Sequence, residues 1–269
     1  MNNNTIITGG KGFVGSHLYR LLPNAEIYDI LDGQDILNFD QLVAALKGKD
    51  IVVHLAALIS VNDSIEHPGK YYSTNVAGTD NVLRAAIEAG CKTVIFASSA
   101  AVYSPDNPYG LSKKIGEDLL KEYKDKIQTI GLRFFNIYGP GQNPEYAGVI
   151  SKFIEFSQKG GPIHVTGSGE QTRDFISVTD ITRIIAKIIE TRETIDSGIV
   201  FEVGTGNTIT INDLAHIFAK KHAVEVDHLP NANVGIIHSK AKNEALLQAI
   251  GEYTFVPLEL GLDELEKSL

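Results

Sequence analysis

The segment TIITGGKGFVGSHLYRLL, residues 5–22, constrains the fold of this chain more than any other. A short apolar run ends at Thr8, and Gly9, Gly12 and Gly15 follow at the mouth of an amphipathic helix. Glycine, having no Cβ, permits a tight turn and the close approach of a ligand to the backbone. The helix that follows turns its unpaired N–H groups and the positive end of its dipole toward the loop, which suits a pyrophosphate. The alternative is a strand-to-helix turn that is merely rich in glycine, and the strand-loop-helix context weighs against it.

The rest of the chain keeps the rhythm that this opening sets. TIIT (5–8), AEIYD (25–29), DIVVHLAA (50–57), KTVIFASS (92–99), QTIGLRFF (128–135) and IVFEVG (199–204) read as buried strands. Helices fall between most of them, at 75–89 with Val76, Val82, Leu83, Ala86 and Ile87 on one side, and at 110–123. Alternating strands and helices imply an α/β fold, a doubly wound parallel Rossmann sheet. After Phe135 the rhythm loosens into NIYGPGQNPEYAG, a helix at 149–158 and a glycine-rich turn in KGGPIHVTGSGEQTRDF. The helix at 180–190 carries Ile181, Ile184, Ile185, Ile188 and Ile189 as an apolar stripe. TINDLAHIFAKKH and SKAKNEALLQAIG read as small helices outside the main sheet. The expected organisation is a dinucleotide-binding Rossmann domain over 1–140, with 176–205 returning to it. A small, interleaved C-terminal substrate-binding region then comprises 141–175 and 206–269.

Composition narrows the partners. With 24 Lys and Arg against 33 Asp and Glu, the formal charge is −9, which leaves no basic footprint for nucleic acid or an anionic membrane. A small-molecule partner is expected. The single cysteine, Cys91, excludes an internal disulfide and points to a reducing compartment, and no metal-ligand cluster is visible. MNNNTIITGGKGF has neither the basic start nor the apolar core of a signal peptide, and no run reaches the ~20 apolar residues of a membrane span. The expectation is a soluble, cytoplasmic protein.

The second strand ends at Asp29, where an acid can receive the adenosine ribose hydroxyls. Asp32 and Asp35 follow, and no basic residue stands between Arg20 and Lys47, so a 2′-phosphate would meet repulsion. NAD fits better than NADP. Ala56 and Ala57, small residues after VVHL, would let the pyrophosphate lie against the sheet edge. His54, inside an apolar strand, reads as a structural histidine.

Asn107-Pro108-Tyr109 opens a helix, with Asn107 as cap and Pro108 at the first helical position. Tyr109 and Lys113 then share a face one turn apart. Lowering a tyrosine pKa from its usual ~10 by about three units requires ~4 kcal/mol of differential stabilisation. A neighbouring ammonium and a bound nicotinamidium, both cationic, can supply it. Ser99, at the C-terminal end of its strand, can hydrogen-bond the same substrate oxygen.

TGGKGFVGSHL, VVHLAALISVNDSIEHPGKYYSTNVAGT, SSAAVYS, YGLSK, GLRFFNIYGPGQ and GSGEQTRDFISVTDI together resemble an extended short-chain dehydrogenase/reductase. The resemblance is to its NAD-dependent nucleotide-sugar epimerase/dehydratase family, and it spans Thr8 to about Gly206. It implies that Gly9, Gly12, Phe13, Val14 and Gly15 hold the pyrophosphate and Asp29 the ribose. By the same resemblance Asp35 and Ile36 flank adenine, and Leu55, Ala56, Ala57, Asn75 and Ser98 line the cofactor. Tyr109 becomes the catalytic base, Lys113 the residue that holds the nicotinamide ribose, and Ser99 the assisting hydroxyl. Asn136 and Arg173 meet the diphosphate of a nucleotide sugar, an Arg173–Asp174 salt bridge being the plainer alternative. The helices at 75–89 and 110–123 resemble the pair that builds a homodimer in this family.

Dehydratases of the family carry acidic groups after the active-site Ser or Thr, whereas this chain has Ala100 and Ala101, so elimination is disfavoured. Oxidation and re-reduction at C4 is favoured. The expected activity is that of an NAD-dependent 4-epimerase of an NDP-hexose of the UDP-glucose or UDP-galactose kind. The alternatives are an NAD(P)H-dependent 4-keto-sugar reductase and a catalytically silent dinucleotide sensor. Departures from the family fall on the substrate side. Only five residues separate Tyr103 from Tyr109, Thr166 stands where an aromatic is common, and no arginine follows Arg192. His228, Asn231, His238 and Lys240 are the polar residues near the place of that missing arginine.

Overall fold

The computed structural model describes residues 4–143, 148–230 and 237–269, and the chain divides into two compact units. The first comprises residues 1–134, 181–203 and 244–253, the second 135–180, 204–243 and 254–269.

The first unit begins with β1 (Thr5–Thr8), α1 (Phe13–Leu21), β2 (Glu26–Tyr28), α2 (Phe39–Leu46) and β3 (Ile51–His54). Next come α3 (Val61–Glu66) and α4 (Pro68–Tyr71), a π-helical turn over Tyr72–Ala77, then α5 (Gly78–Ala89), β4 (Thr93–Ser99), α6 (Pro108–Tyr123) and β5 (Gln128–Phe134). The strands are apolar on both faces because helices cover both, as buried parallel sheets require. They pair in parallel in the order β2-β1-β3-β4-β5, with a sixth strand at Ile199–Val203 beside β5. The strand order reverses between β1 and β3, and ligands of doubly wound sheets bind at such a switch point. One face of the sheet is packed by Ile6, Tyr28, Leu42, Leu46, Val82, Leu83, Val94, Phe96 and Leu120. There α6 lies so close to β4 that a Cβ on Gly116 would stand 2.5 Å from Phe96.

The second unit holds β6 (Asn136–Tyr138), α7 (Gly148–Gln158), β7 (Ile163–Thr166), β8 (Thr172–Arg173) and β9 (Phe175–Ser177). After α8 (Val178–Thr191) and β10 (Ile199–Val203) it continues with β11 (Ile209–Thr210), α9 (Ile211–His222), β12 (Val226–Leu229) and β13 (His238–Ser239). The chain ends in α10 (Glu244–Ile250) and α11 (Leu258–Lys267). Its core joins Tyr138, Phe153, Ile163, Val165, Leu214, Phe218, Leu262 and Leu265.

The expected glycine-rich turn over 159–175 contains β7 and β8, which pair with β12 and with β11 and β13. The boundary falls at Phe134 rather than 140, because β6 pairs with β9 in the second unit. Residues 244–253 group with the first unit, where α10 packs on β10 and buries Leu246 and Ile250. No helix among the described residues is long and apolar enough to cross a membrane.

Candidate active site

Gly9, at φ 71°, turns the chain out of β1. A Cβ there would lie 2.7 Å from the backbone of Ala56, so the loops after β1 and β3 touch at the switch point. A Cβ on Gly15 would stand 2.3 Å from the Gly9 carbonyl oxygen, while Gly12 caps α1 with no side chain taking its first N–H groups. Phe13 and Val14 open α1, both half-buried. Bare backbone, helix N-terminus and the absence of an acid in the first turn fit a diphosphate.

The Asp29 carboxylate is buried and ordered by two backbone donors, Lys11 N at 2.8 Å and Leu31 N at 3.0 Å. Fixed this way at the tip of β2, it suits a ribose diol. Asp35 accepts from Leu37 N, and Ile36 packs against Gly78 at the edge of the core. The exposed apolar residues beside Asp29 are Ile30 (64%) and Leu31 (74%), which strand and helix periodicity did not single out. Sequence distance also hid Lys11, whose ammonium pairs with Asp32.

Leu55, Ala56 and Ala57 continue from β3, with Leu55 N donating to the Thr8 carbonyl at 3.0 Å. Asn75, buried in the π-helical turn, accepts from Leu58 N and donates to Leu58 O and Ser112 Oγ, at 2.8, 2.9 and 3.0 Å. It thereby ties the loop after β3 to α6. His54 bridges Thr8 and Thr79 in the core, and burial lowers its pKa to about 3, which keeps it neutral.

Asn107 caps α6, its Oδ1 accepting from Gly110 N at 2.8 Å. Tyr109 and Lys113 follow on one face. Lys113 is 5% exposed, its Nζ donates to Ala97 O at 2.8 Å, and burial lowers its pKa to about 8. Burial pushes the Tyr109 phenol up, opposed by a hydrogen bond with Ser99. Ser99 also accepts from Ala101 N at 3.2 Å. Ser98 donates to Glu117 Oε1 at 2.6 Å, and Arg133 clamps Glu117 with bonds of 2.9 and 2.7 Å. Arg133 stacks on the Tyr103 ring and donates to its hydroxyl, which in turn donates to Glu202. Glu117 and Arg133 are thus residues of the site's framework that the sequence reading missed; the repeat of four from Tyr109 through Lys113 to Glu117 was the available signal.

In the second unit Asn136 donates from Nδ2 to Asp174 O at 2.9 Å. The Asp174 carboxylate is fully buried and accepts from Thr205 N, Thr205 Oγ1, Gly206 N and Ala241 N. With those four donors around it, Asp174 forms no ion pair with Arg173, against the plainer alternative. Arg173 donates to Thr172 O at 2.8 Å and lines a cavity of about 360 Å³ with Phe175, Thr205, Asn207 and Phe255. His228 bonds Asn212, His238 bonds Thr172, Lys240 is exposed, and Asn231 lies outside the described residues. Among the described residues no cluster of three or more His, Cys, Asp or Glu could hold a metal.

A parallel doubly wound sheet with a glycine loop at its switch point and an acid after β2 defines a dinucleotide-binding protein of the short-chain dehydrogenase/reductase class. The chain belongs to the NAD dependent epimerase/dehydratase family, whose profile matches residues 5–204. NAD is the cofactor of that family. A UDP-N-acetylglucosamine 4-epimerase from Methanobrevibacter ruminantium M1, solved with UDP-N-acetylmuramic acid, superposes with TM-score 0.89 at 31% identity, over 99% of this chain and 97% of that one. A UDP-glucose 4-epimerase of Thermotoga maritima, with UDP-glucose, gives 0.87 at 27% identity over 98% of both chains. A UDP-N-acetyl-alpha-D-glucosaminuronate decarboxylase of Bacillus cytotoxicus is 29% identical, covering 88% of this chain and 84% of its own. Because epimerases and a decarboxylase share the fold at similar identity, these matches fix the family and leave the reaction to the site.

Proposed function

We propose that this protein is an NAD-dependent 4-epimerase of a nucleotide-activated hexose, of the UDP-glucose or UDP-galactose kind. The observation that carries the reading is the Ser99, Tyr109 and Lys113 set at the junction of β4 and α6, followed by Ala100 and Ala101 instead of acids. NAD, when bound, would supply reversible hydride acceptance at C4, so that the substrate is oxidised and re-reduced with no net redox change. Tyr109 takes the proton from the C4 hydroxyl and later gives it back, while Ser99 holds the same oxygen. Lys113 holds the nicotinamide ribose, and its charge assists the Tyr109 phenolate. Gly9, Gly12, Phe13, Val14 and Gly15 bind the pyrophosphate; Asp29 binds the adenosine ribose, and Asp35 and Ile36 flank adenine. Leu55, Ala56, Ala57, Asn75 and Ser98 complete the wall. Asn136 and Arg173 hold the diphosphate of the sugar nucleotide, a role supported for Arg173 by its place on a cavity wall free of Asp174. With no acid at 100 or 101, nothing in that segment can expel water from C5–C6. The proposal extends to a cytoplasmic homodimer built on α5 and α6.

Purified protein incubated, without added cofactor, with UDP-, dTDP-, GDP- and CDP-hexoses tests this by NMR. Appearance of the C4 epimer of one of them supports a self-recycling epimerase and names its nucleotide. Folded, NAD-loaded protein that converts none of them refutes the proposal.

A further inference from the structure

Asp29 has a cation beside it that the order of the sequence conceals. The glycine loop brings Lys11 to β2, where its N–H donates to Asp29 Oδ2 at 2.8 Å and its ammonium pairs with Asp32. Asp32 closes the short 3₁₀ turn Ile30–Asp32 that Asp29 caps through Leu31 N. The Lys11 and Asp32 side chains are 42% and 44% exposed, so the pair stands at the solvent edge of the buried Asp29 carboxylate.

NAD and NADP differ by a phosphate on the adenosine ribose. If Asp29 receives that ribose, as the proposed function holds, a phosphate on it is set against the groups that flank Asp29. Those groups include Lys11, the Ile30–Asp32 turn and the uncharged Gln34, whose Oε1 accepts from Asp29 N at 3.1 Å. An uncommitted Lys11 would suit this phosphate well, because ammonium-to-phosphate hydrogen bonds are charge-assisted. Asp32 removes that opportunity. A phosphate would have to displace a carboxylate of its own sign, and it would face two carboxylates against one ammonium. We infer that Asp32 is a cofactor-specificity residue: by holding the Lys11 ammonium it denies a 2′-phosphate the cation that the glycine loop supplies. An ion pair this exposed contributes little to folding, so removing it leaves the fold intact.

Calorimetric titration of nucleotide-free protein with NAD and with NADP tests the inference on wild type, Asp32→Asn, Lys11→Met, the double variant and Asp29→Ala. Asp32→Asn is expected to bind NADP about tenfold more tightly than wild type while NAD stays within about twofold. Adding Lys11→Met to it is expected to abolish the gain. Unchanged NADP affinity in Asp32→Asn, or a gain that survives Lys11→Met, overturns the inference. Asp29→Ala separates the two readings. If it keeps full NAD affinity, the ribose assignment falls; if it loses NAD while Asp32→Asn leaves NADP unchanged, only the role of Asp32 falls.

Discussion

Lys113 Nζ donates to the Ala97 carbonyl oxygen across 2.8 Å, fastening α6 to the end of β4. It is the middle of three such ties. Tyr109, one turn earlier, bonds Ser99, and Glu117, one turn later, accepts from Ser98 at 2.6 Å. Positions four apart on a helix share a face, so three successive turns of α6 set the register of the strand end that carries Ser99.

The buried Lys113 amine makes stability depend on pH. Its pKa is about 8 in the folded protein against 10.5 in the unfolded chain, because burial penalises the charged form. Between those values the unfolded chain holds the proton and the folded one does not, so stability rises with pH from about 8 to about 10.5. Below about pH 8 the penalty is at its full size, about 3 kcal/mol. Urea unfolding of cofactor-free wild type and Lys113→Met at pH 7.5 and 9.5 should show the rise in wild type relative to the variant; parallel behaviour would contradict it.

Tyr109→Phe should leave the fold nearly unchanged, since one hydrogen bond to Ser99 is lost, at about 1 kcal/mol. NAD should stay bound. Turnover should fall by about 10²–10⁴, the usual contribution of a positioned acid-base group. Activity within a few-fold of wild type would remove Tyr109 from the chemistry.

Glu117→Gln removes the carboxylate that clamps Arg133 in a largely buried place and leaves it Glu202, at 3.7 Å, as its remaining acid, so the loss should fall at the low end of the usual range. Breaking such a pair typically costs about 3–5 kcal/mol. Denaturant melts of Glu117→Gln and Arg133→Met should both show it, and a double variant should lose less than the sum of the two.

Two glycines should respond differently to alanine. At Gly15 the new Cβ meets the Gly9 carbonyl oxygen at 2.3 Å and Gly10 Cα at 2.7 Å, so the loop must move. NAD affinity should drop by more than about tenfold, with overpacking costing about 1–3 kcal/mol. Gly33, at φ 73° with no atom within 4 Å, should cost only about 1–2 kcal/mol of backbone strain and leave NAD binding alone.

The sheet was legible because strands buried on both faces become unbroken apolar runs, as Ile51–Val53 and Val94–Ala97 do. The isoleucine stripe of α8 and the Asn107-Pro108 helix start were equally plain, being local. Arg133 was not, since its pairing joins a strand to a helix; Glu117 shared the spacing of four with Tyr109 and Lys113, but its partners Ser98 and Arg133 lie on two different strands. Lys11 and Asp32 meet only because two loops converge at the switch point. The two-residue strands Thr172–Arg173, Ile209–Thr210 and His238–Ser239 are too short to show alternation, which is why the first read as part of a turn and the other two went unseen beside small helices.

The central claim is that hydride leaves C4 and returns to it within one binding event. The most direct measurement is NMR and mass analysis of the product formed from a UDP-hexose deuterated at C4, with no cofactor added. The account predicts inversion at C4 with the deuterium kept on that carbon. Loss of the label to solvent or to a free cofactor pool, or a product dehydrated at C5–C6, would contradict it.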